Sequence, residues 1–180
     1  MIPRLTRDGC LLLVVDVQTR LLPAMHEAQR VERNIETLCK IARHFQIPVV
    51  VTEQNPAKIG GTVDSVAAAL GEFSPIEKLR FSSFPDARAQ IEATNRQTVL
   101  LCGLESHVCV TQTALDLLEA GFTVCVAFDA ISSRQPHNHQ IGWERMKLAG
   151  ALPTSTESAI FELLGEAGTD DFRAILPLVK

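Results

Sequence analysis

The sequence predicts an α/β protein in which a parallel sheet is covered by helices on both faces. Three observations lead there. Short apolar runs alternate along the chain with longer segments of helical period. The runs are unbroken rather than alternating with polar residues, the signature of strands buried on both sides. With 180 residues, 46% of them hydrophobic, the chain suits one domain, residues 1–180, with a sizeable core.

Leu11 to Val15 reads as a buried strand ending at Asp16. Val31, Ile35, Leu38, Ala42 and Phe45 recur at three- and four-residue steps and mark one face of a helix. Pro48 to Thr52 is the second strand. Asn55 to Thr62, with Pro56, Gly60 and Gly61, is expected as a loop, followed by a short helix over Val63 to Leu70. Pro75 to Lys78 gives a short strand, and Pro85 opens a helix as a first-turn proline. Val99 to Cys102 is a strand closed by Gly103, and the next helix, through Val110 and Leu118, ends at Gly121. Thr123 to Phe128 is the fifth strand. A helix over Ile141 to Leu148, a strand at Ala151 to Pro153, and helices at Thr156 to Leu164 and Asp171 to Val179 complete the order.

Composition narrows the partners. A formal charge of −4, without a Lys/Arg cluster, argues against nucleic acid. The apolar runs are far too short to span a bilayer, and Asp16 interrupts the only N-terminal one, so neither a membrane nor a signal peptide is expected. The five cysteines are odd in number and show no CxxC spacing. Cys10, Cys102 and Cys125 lie in or beside apolar runs. That usage fits a reducing compartment, hence the cytoplasm, rather than a disulfide framework.

Ligands of open parallel sheets bind beyond the carboxyl ends of the strands. That rule selects Asp16, Thr52 to Gln54, Lys78, Gly103 to Cys109 and Asp129. Asp16 reads either as a catalytic carboxylate or as the cap of a turn. Lys78 reads either as a solvated partner of Glu77 or as a cation that lowers a nearby thiol's pKa. Cys109, in Gly103-Leu-Glu-Ser-His-Val-Cys-Val110, reads as a buried hydrophobe or as a nucleophile in the first turn of a helix capped by Ser106. In the second reading, free N–H groups, the helix dipole and Lys78 bring the thiol below neutrality and can hold an oxyanion. His107 stands two residues from Cys109, a spacing that does not pair on a helix, and reads as pocket lining or surface. His137 and His139 lack an acid or cysteine beside them, so a loop entering a helix accounts for them better than a metal.

Together, Leu13-Val-Val-Asp16-Val-Gln18, Lys78 with Phe81-Ser82 following, and Gly103 to Val110 resemble the isochorismatase-like cysteine hydrolases. Gln112 to Leu118, Asp129 to Arg134 and Thr154 to Ser158 are similar to the isochorismatase-domain-containing proteins, some of them described as mitochondria-associated ribonucleases. The resemblance implies a three-layer α/β/α sandwich with a six-stranded parallel sheet. It implies an Asp16, Lys78, Cys109 triad, a cis Leu104–Glu105 peptide, and an oxyanion hole from the N–H groups of Glu105 and Cys109. Gln18, Phe81, Leu104 and Ser106 are expected to line the substrate pocket. Dimers or larger homo-oligomers are also implied.

Departures matter too. The family often has Thr where Glu105 stands, and a carboxylate there is expected to disfavour anionic amides. Leu21 replaces an aromatic. Thr52-Glu-Gln-Asn-Pro-Ala57 lacks the histidines that hold a nicotinamidase metal, so neither metal nor other cofactor is expected. The expected function is a metal-free hydrolase of a small amide or related acyl compound, working through a covalent cysteine intermediate. The alternatives are a non-catalytic oligomeric scaffold or a ribonuclease.

Overall fold

A computed structural model describes residues 3–179. Six strands form one sheet: β1 (Cys10–Val15), β2 (Val49–Gln54), β3 (Ile76–Lys78), β4 (Thr98–Leu104), β5 (Thr123–Ser132) and β6 (Leu152–Thr154). All pairings are parallel, in the order β3-β2-β1-β4-β5-β6. The helices are α1 (Ala28–His44), α2 (Pro56–Ile59), α3 (Asp64–Leu70), α4 (Phe84–Ala93), α5 (Thr111–Glu119), α6 (Pro136–Leu148), α7 (Thr156–Leu164) and α8 (Asp170–Val179).

The period of two along β1 explains the layers. Cys10, Leu12 and Val14 point into a core shared with Val31, Ile35 and Leu38 of α1 and Ile160 of α7. Leu11, Leu13 and Val15 point the other way, onto Ile91 of α4, Leu117 of α5 and Met146 of α6. Every residue of β1 is buried, so its run has no polar position. This is the three-layer α/β/α sandwich. Among the described residues, no helix is long and apolar enough to cross a membrane.

Three local readings change. The stretch 55–62 contains the one-turn helix α2, which starts at Pro56 after Asn55 takes a left-handed conformation at φ 40°. Strand β5 runs on through Ser132, past its expected end at Phe128. Leu101 pairs with Val126 but Gly103 with Ile131, so β5 carries extra residues there, among them the polar Asp129 that hides its continuation. Asp129 itself faces away from the site. Its carboxylate accepts from the Thr156 N–H at 2.7 Å and hydroxyl at 2.9 Å, fixing the start of α7.

The order of strands reverses direction between β1 and β4, and there the two backbones come unusually close. A Cβ on Gly103 would lie 2.1 Å from the Val15 carbonyl oxygen, and its φ of 126° is one that L residues rarely adopt. Gly103→Ala is therefore expected to cost at least about 3 kcal/mol in urea denaturation, or to prevent folding. Gly121→Ala, also at positive φ but facing open space, is expected to cost only about 1–2 kcal/mol.

Candidate active site

Asp16 is the first residue beyond β1, held at φ 53°, a left-handed conformation more accessible to Asp than to most residues. Its N–H donates to the Thr52 carbonyl at 3.1 Å, continuing the β1–β2 ladder one step past the strand. The side chain is turned into the protein and fully buried. Lys78, the last residue of β3, reaches across β2 and donates to Asp16 Oδ2 at 2.6 Å; both side chains have no exposed surface. The same ammonium donates to Gln54 Oε1 at 2.8 Å and to the carbonyls of Phe81 and Arg80 at 3.1 and 3.2 Å. Four acceptors thus surround three N–H groups, and Lys78 has none to spare for a substrate.

The nucleophile candidate follows β4. The Leu104–Glu105 peptide is cis. A π-helical turn, Ser106–Val110, then leads straight into α5. Cys109 sits in that turn, its thiol close enough to the Asp16 carboxylate that each shifts the other's proton affinity, with the Glu105 backbone beside it. Asp16, Lys78 and Cys109 are therefore brought together from the ends of three strands. The site lies at the point where strand order reverses, where open α/β sheets place ligands.

The electrostatics run against the expected thiolate. Burial, and next the charge of Asp16, push the Cys109 thiol up to about 12, and the Lys78 charge only partly offsets them. The helix-terminus argument fails for two reasons: the turn is buried, and the nearest full charge is a carboxylate. Burial also raises Asp16 above the ordinary carboxyl value, against the pull of Lys78, Thr52 and Cys109. A protonated thiol thus faces a carboxylate of increased basicity.

The family model described as Isochorismatase domain matches residues 10–158. The secreted isochorismatase effector Isc1 of Phytophthora sojae is 37% identical, the match covering 98% of this chain and 87% of its own. The chain belongs to the isochorismatase family. Isochorismatase domain-containing protein 2A of Mus musculus is 32% identical over 98% of this chain and 85% of its own. Among solved structures, MAR1 ribonuclease from Caenorhabditis elegans is 34% identical, covers 98% of this chain and 92% of its own, and has a TM-score of 0.92. YcaC from Pseudomonas aeruginosa, with hexane-2,5-diol and covalent acrylamide, is 26% identical, covers 99% and 92%, and also has a TM-score of 0.92. The fold is that of isochorismatase-family hydrolases.

Within this family framework, the four expected pocket residues fall in different places. Gln18 is fully buried and clamps backbone: its Nε2 donates to the Gln54 and Gly60 carbonyls at 3.0 and 2.6 Å, and its Oε1 accepts from the Gln54 N–H at 2.8 Å. Leu104 belongs to the core on the α1 side. Ser106 is not the cap of a helix; Glu105 holds that position, and the buried Ser106 hydroxyl pairs with His139 Nδ1 at 2.9 Å. Phe81 stands exposed while its carbonyl serves Lys78. An open cleft of about 590 Å³ beside β3 meets the site only at Lys78; neither Asp16 nor Cys109 lines it.

Other residues take parts that the sequence only hinted at. Glu105 is nearly buried, and its carboxylate accepts from Arg134 Nε at 2.7 Å. It is not the free negative charge expected to disfavour anionic amides. His107 Nδ1 pairs with the Ser133 hydroxyl at 2.9 Å, so both histidine–serine contacts pin the nucleophile turn from α6 and the end of β5. Gly142 of α6 packs against that turn so closely that a Cβ would lie 2.7 Å from His107 Cα. His139 and His137 both lie inside α6. Among the described residues, no three His, Cys, Asp or Glu side chains gather as a metal site.

Two outcomes follow. Thiolate absorbance near 240 nm, compared between wild type and Cys109→Ala, should show no ionisation of Cys109 from pH 6 to 9, since its pKa lies near 12. A Cys109-dependent rise around neutrality would contradict the electrostatic account. Lys78→Met leaves a fully buried carboxylate without its cation and should cost about 3–5 kcal/mol of unfolding free energy. A denaturant midpoint within error of wild type would refute it.

Proposed function

We propose that this protein is a cysteine hydrolase that cleaves a small amide or related acyl compound without a metal. The observation that carries the reading is the meeting of Asp16, Lys78 and Cys109 in one buried site, with the carboxylate paired to Lys78 at 2.6 Å and close enough to the thiol to shift its proton affinity. A neutral thiol is a weak nucleophile, and a base beside it activates it.

As Cys109 Sγ attacks the carbonyl carbon, its proton passes to Asp16, and the carbonyl electrons move onto oxygen. The N–H groups of Glu105 and Cys109 hold that oxyanion. The intermediate collapses with cleavage of the C–N bond, the amine leaving with the proton from Asp16. Water then attacks the thioester carbonyl, Asp16 taking its proton and returning it to sulfur as the acid departs. Lys78 acts by its charge and by orienting Asp16, since its N–H groups are already engaged.

Supporting a metal-free route, the stretch from Thr52 to Ala57 at the end of β2 carries no histidine, and its one acid is occupied. Glu53 Oε1 accepts from both the Thr62 N–H and hydroxyl at 2.7 Å. The Pseudomonas aeruginosa YcaC structure contains covalent acrylamide, and by that likeness the site here is read as one that bonds to a small acyl compound. The five free cysteines support a cytoplasmic location, whereas the Phytophthora sojae relative is a secreted effector.

A panel of small primary amides, assayed for ammonia release, tests the proposal. At least one should turn over, with kcat falling about 10³-fold or more in Cys109→Ala and an acyl adduct on Cys109 visible by mass spectrometry. Single-stranded RNA, offered to the same preparations because one neighbour is named a ribonuclease, should remain intact. RNA cleavage that persists in Cys109→Ala, with no amide turned over, would overturn the reading.

A further inference from the structure

Two buried hydroxyls and one backbone N–H connect Asp16 to α5, the helix that follows the turn of Cys109. Thr52, at the carboxyl end of β2, donates from Oγ1 to Asp16 Oδ1 at 2.8 Å. The Thr52 and Ser83 hydroxyl oxygens are 2.9 Å apart. A carboxylate can only accept, so the Thr52 proton must go to Asp16 and Ser83 must donate to Thr52. Direction along the chain is thereby forced: Ser83 to Thr52 to Asp16. Ser83 is anchored in turn, its N–H donating to Thr113 Oγ1 at 2.8 Å, and Thr113 lies on α5, which continues from the turn of Cys109. Thr52, Ser83 and Thr113 are all fully buried.

Ser83 occupies the cap position of α4, where a serine hydroxyl ordinarily accepts a bond from the helix's own N–H groups. Here it makes no such bond. The hydroxyl is diverted to Thr52 at the expense of the helix end. Nor does Asp16 have other neighbours to steady it: the titratable groups facing it are Lys78 from β3 and Cys109 from the nucleophile turn.

We propose that Thr52 is a positioning residue for this reaction, fixing the rotation of the Asp16 carboxylate through Oδ1 while Lys78 holds Oδ2, and that Ser83 sets the direction of the Thr52 hydroxyl. The inference rests on the reading of Asp16 as the base. With both oxygens held, only the remaining lone pairs of the carboxylate are open to the thiol proton. Thr52 also stabilises the charged form of Asp16, so its loss raises the pH at which the base becomes available.

The test uses iodoacetamide as the probe and needs no substrate. The rate of Cys109 alkylation is read by peptide mass spectrometry from pH 4 to 9. In wild type the rate should fall on the acid side, and Asp16→Asn should abolish that limb. Thr52→Val, nearly the same shape without the hydroxyl, should move the acid midpoint up by about one pH unit and slow the plateau about ten-fold. Thr52→Ser should restore both to within about two-fold, and Ser83→Ala should give a smaller shift in the same direction. A purely structural threonine would leave the midpoint in place. Folding of each variant is checked by its Tm. Should Thr52→Val not fold, Ser83→Ala decides: an unmoved midpoint overturns the proposal. An acid limb that vanishes in Asp16→Asn but is untouched by Thr52→Val, or Thr52→Ser as impaired as Thr52→Val, rejects Thr52 while leaving the base in place. An acid limb absent from wild type, or retained in Asp16→Asn, rejects the base reading and Thr52 with it.

Discussion

The Lys78–Asp16 ion pair has no exposed surface on either side chain, and much of the surrounding structure exists to satisfy it. Removing two charges from water costs several kcal/mol per ion, and their mutual attraction repays this only when the remaining donors and acceptors are filled. That condition is met from four directions. Gln54 supplies an acceptor from β2, the carbonyls of Arg80 and Phe81 supply two from the segment after β3, and Thr52 supplies a donor to Asp16. The chain after β3 must bend around the ammonium to present those carbonyls. Leu79 and Phe81 stand at the surface beside it, 76% and 54% exposed. Replacing such a pair by apolar residues is often neutral or stabilising in other proteins. In the proposed hydrolase, its use lies in the base it holds in place.

Around that pair the site is built from close approaches of backbone. Gly103 lets β4 press onto Val15, immediately before Asp16. Gly142 lets α6 press onto the turn that carries Cys109. Neither position has room for a methyl group, and interiors packed at such density transmit small displacements instead of absorbing them. Asp16 follows β1 and Cys109 follows β4, and the two meet because these contacts set the separation of β1, β4 and α6. The hydroxyl chain from Thr113 through Ser83 and Thr52 adds a third link, from the helix behind the nucleophile back to the base.

What the sequence made legible follows from where each signal lies. Unbroken apolar runs on β1 and β4, and the spacing from Val31 to Ala42, report burial directly, and the layers were readable from them. Asp16, Lys78 and Cys109 stood out because each ends or follows a strand. Thr52 and Gln54 came up by the same rule, but nothing local distinguishes a threonine that holds a carboxylate from one that merely ends a strand. Gln18, Leu104 and Ser106 were expected in the pocket because they neighbour the triad in sequence. Nearness in sequence does not fix a shared direction: Gln18 clamps backbone, Leu104 enters the core and Ser106 turns to His139. His139 and Arg134 reach the nucleophile turn through α6 and the end of β5, a meeting that only the sheet order creates. The high pKa of Cys109 was hidden for the same reason: burial and the Asp16 charge are tertiary facts, whereas the helix dipole is local.

Those tertiary facts bear on how such a site discriminates. A cysteine kept as a standing thiolate reacts with any electrophile that reaches it. Here burial and the Asp16 charge hold the thiol protonated, beside a carboxylate whose proton affinity burial raises. In the proposed reaction, sulfur becomes a strong nucleophile only as the proton moves, and that transfer is favourable only if a bond to carbon forms with it. Binding energy from a correctly placed substrate is therefore spent on the proton transfer, and a poorly placed electrophile gains little. Glu105 fits the same logic. In the proposed reaction its N–H holds the oxyanion, while its carboxylate is tied to Arg134 and adds no free negative charge there. A carboxylate so close to an oxyanion would oppose the reaction if unpaired, and the Arg134 contact is what makes it tolerable where it stands.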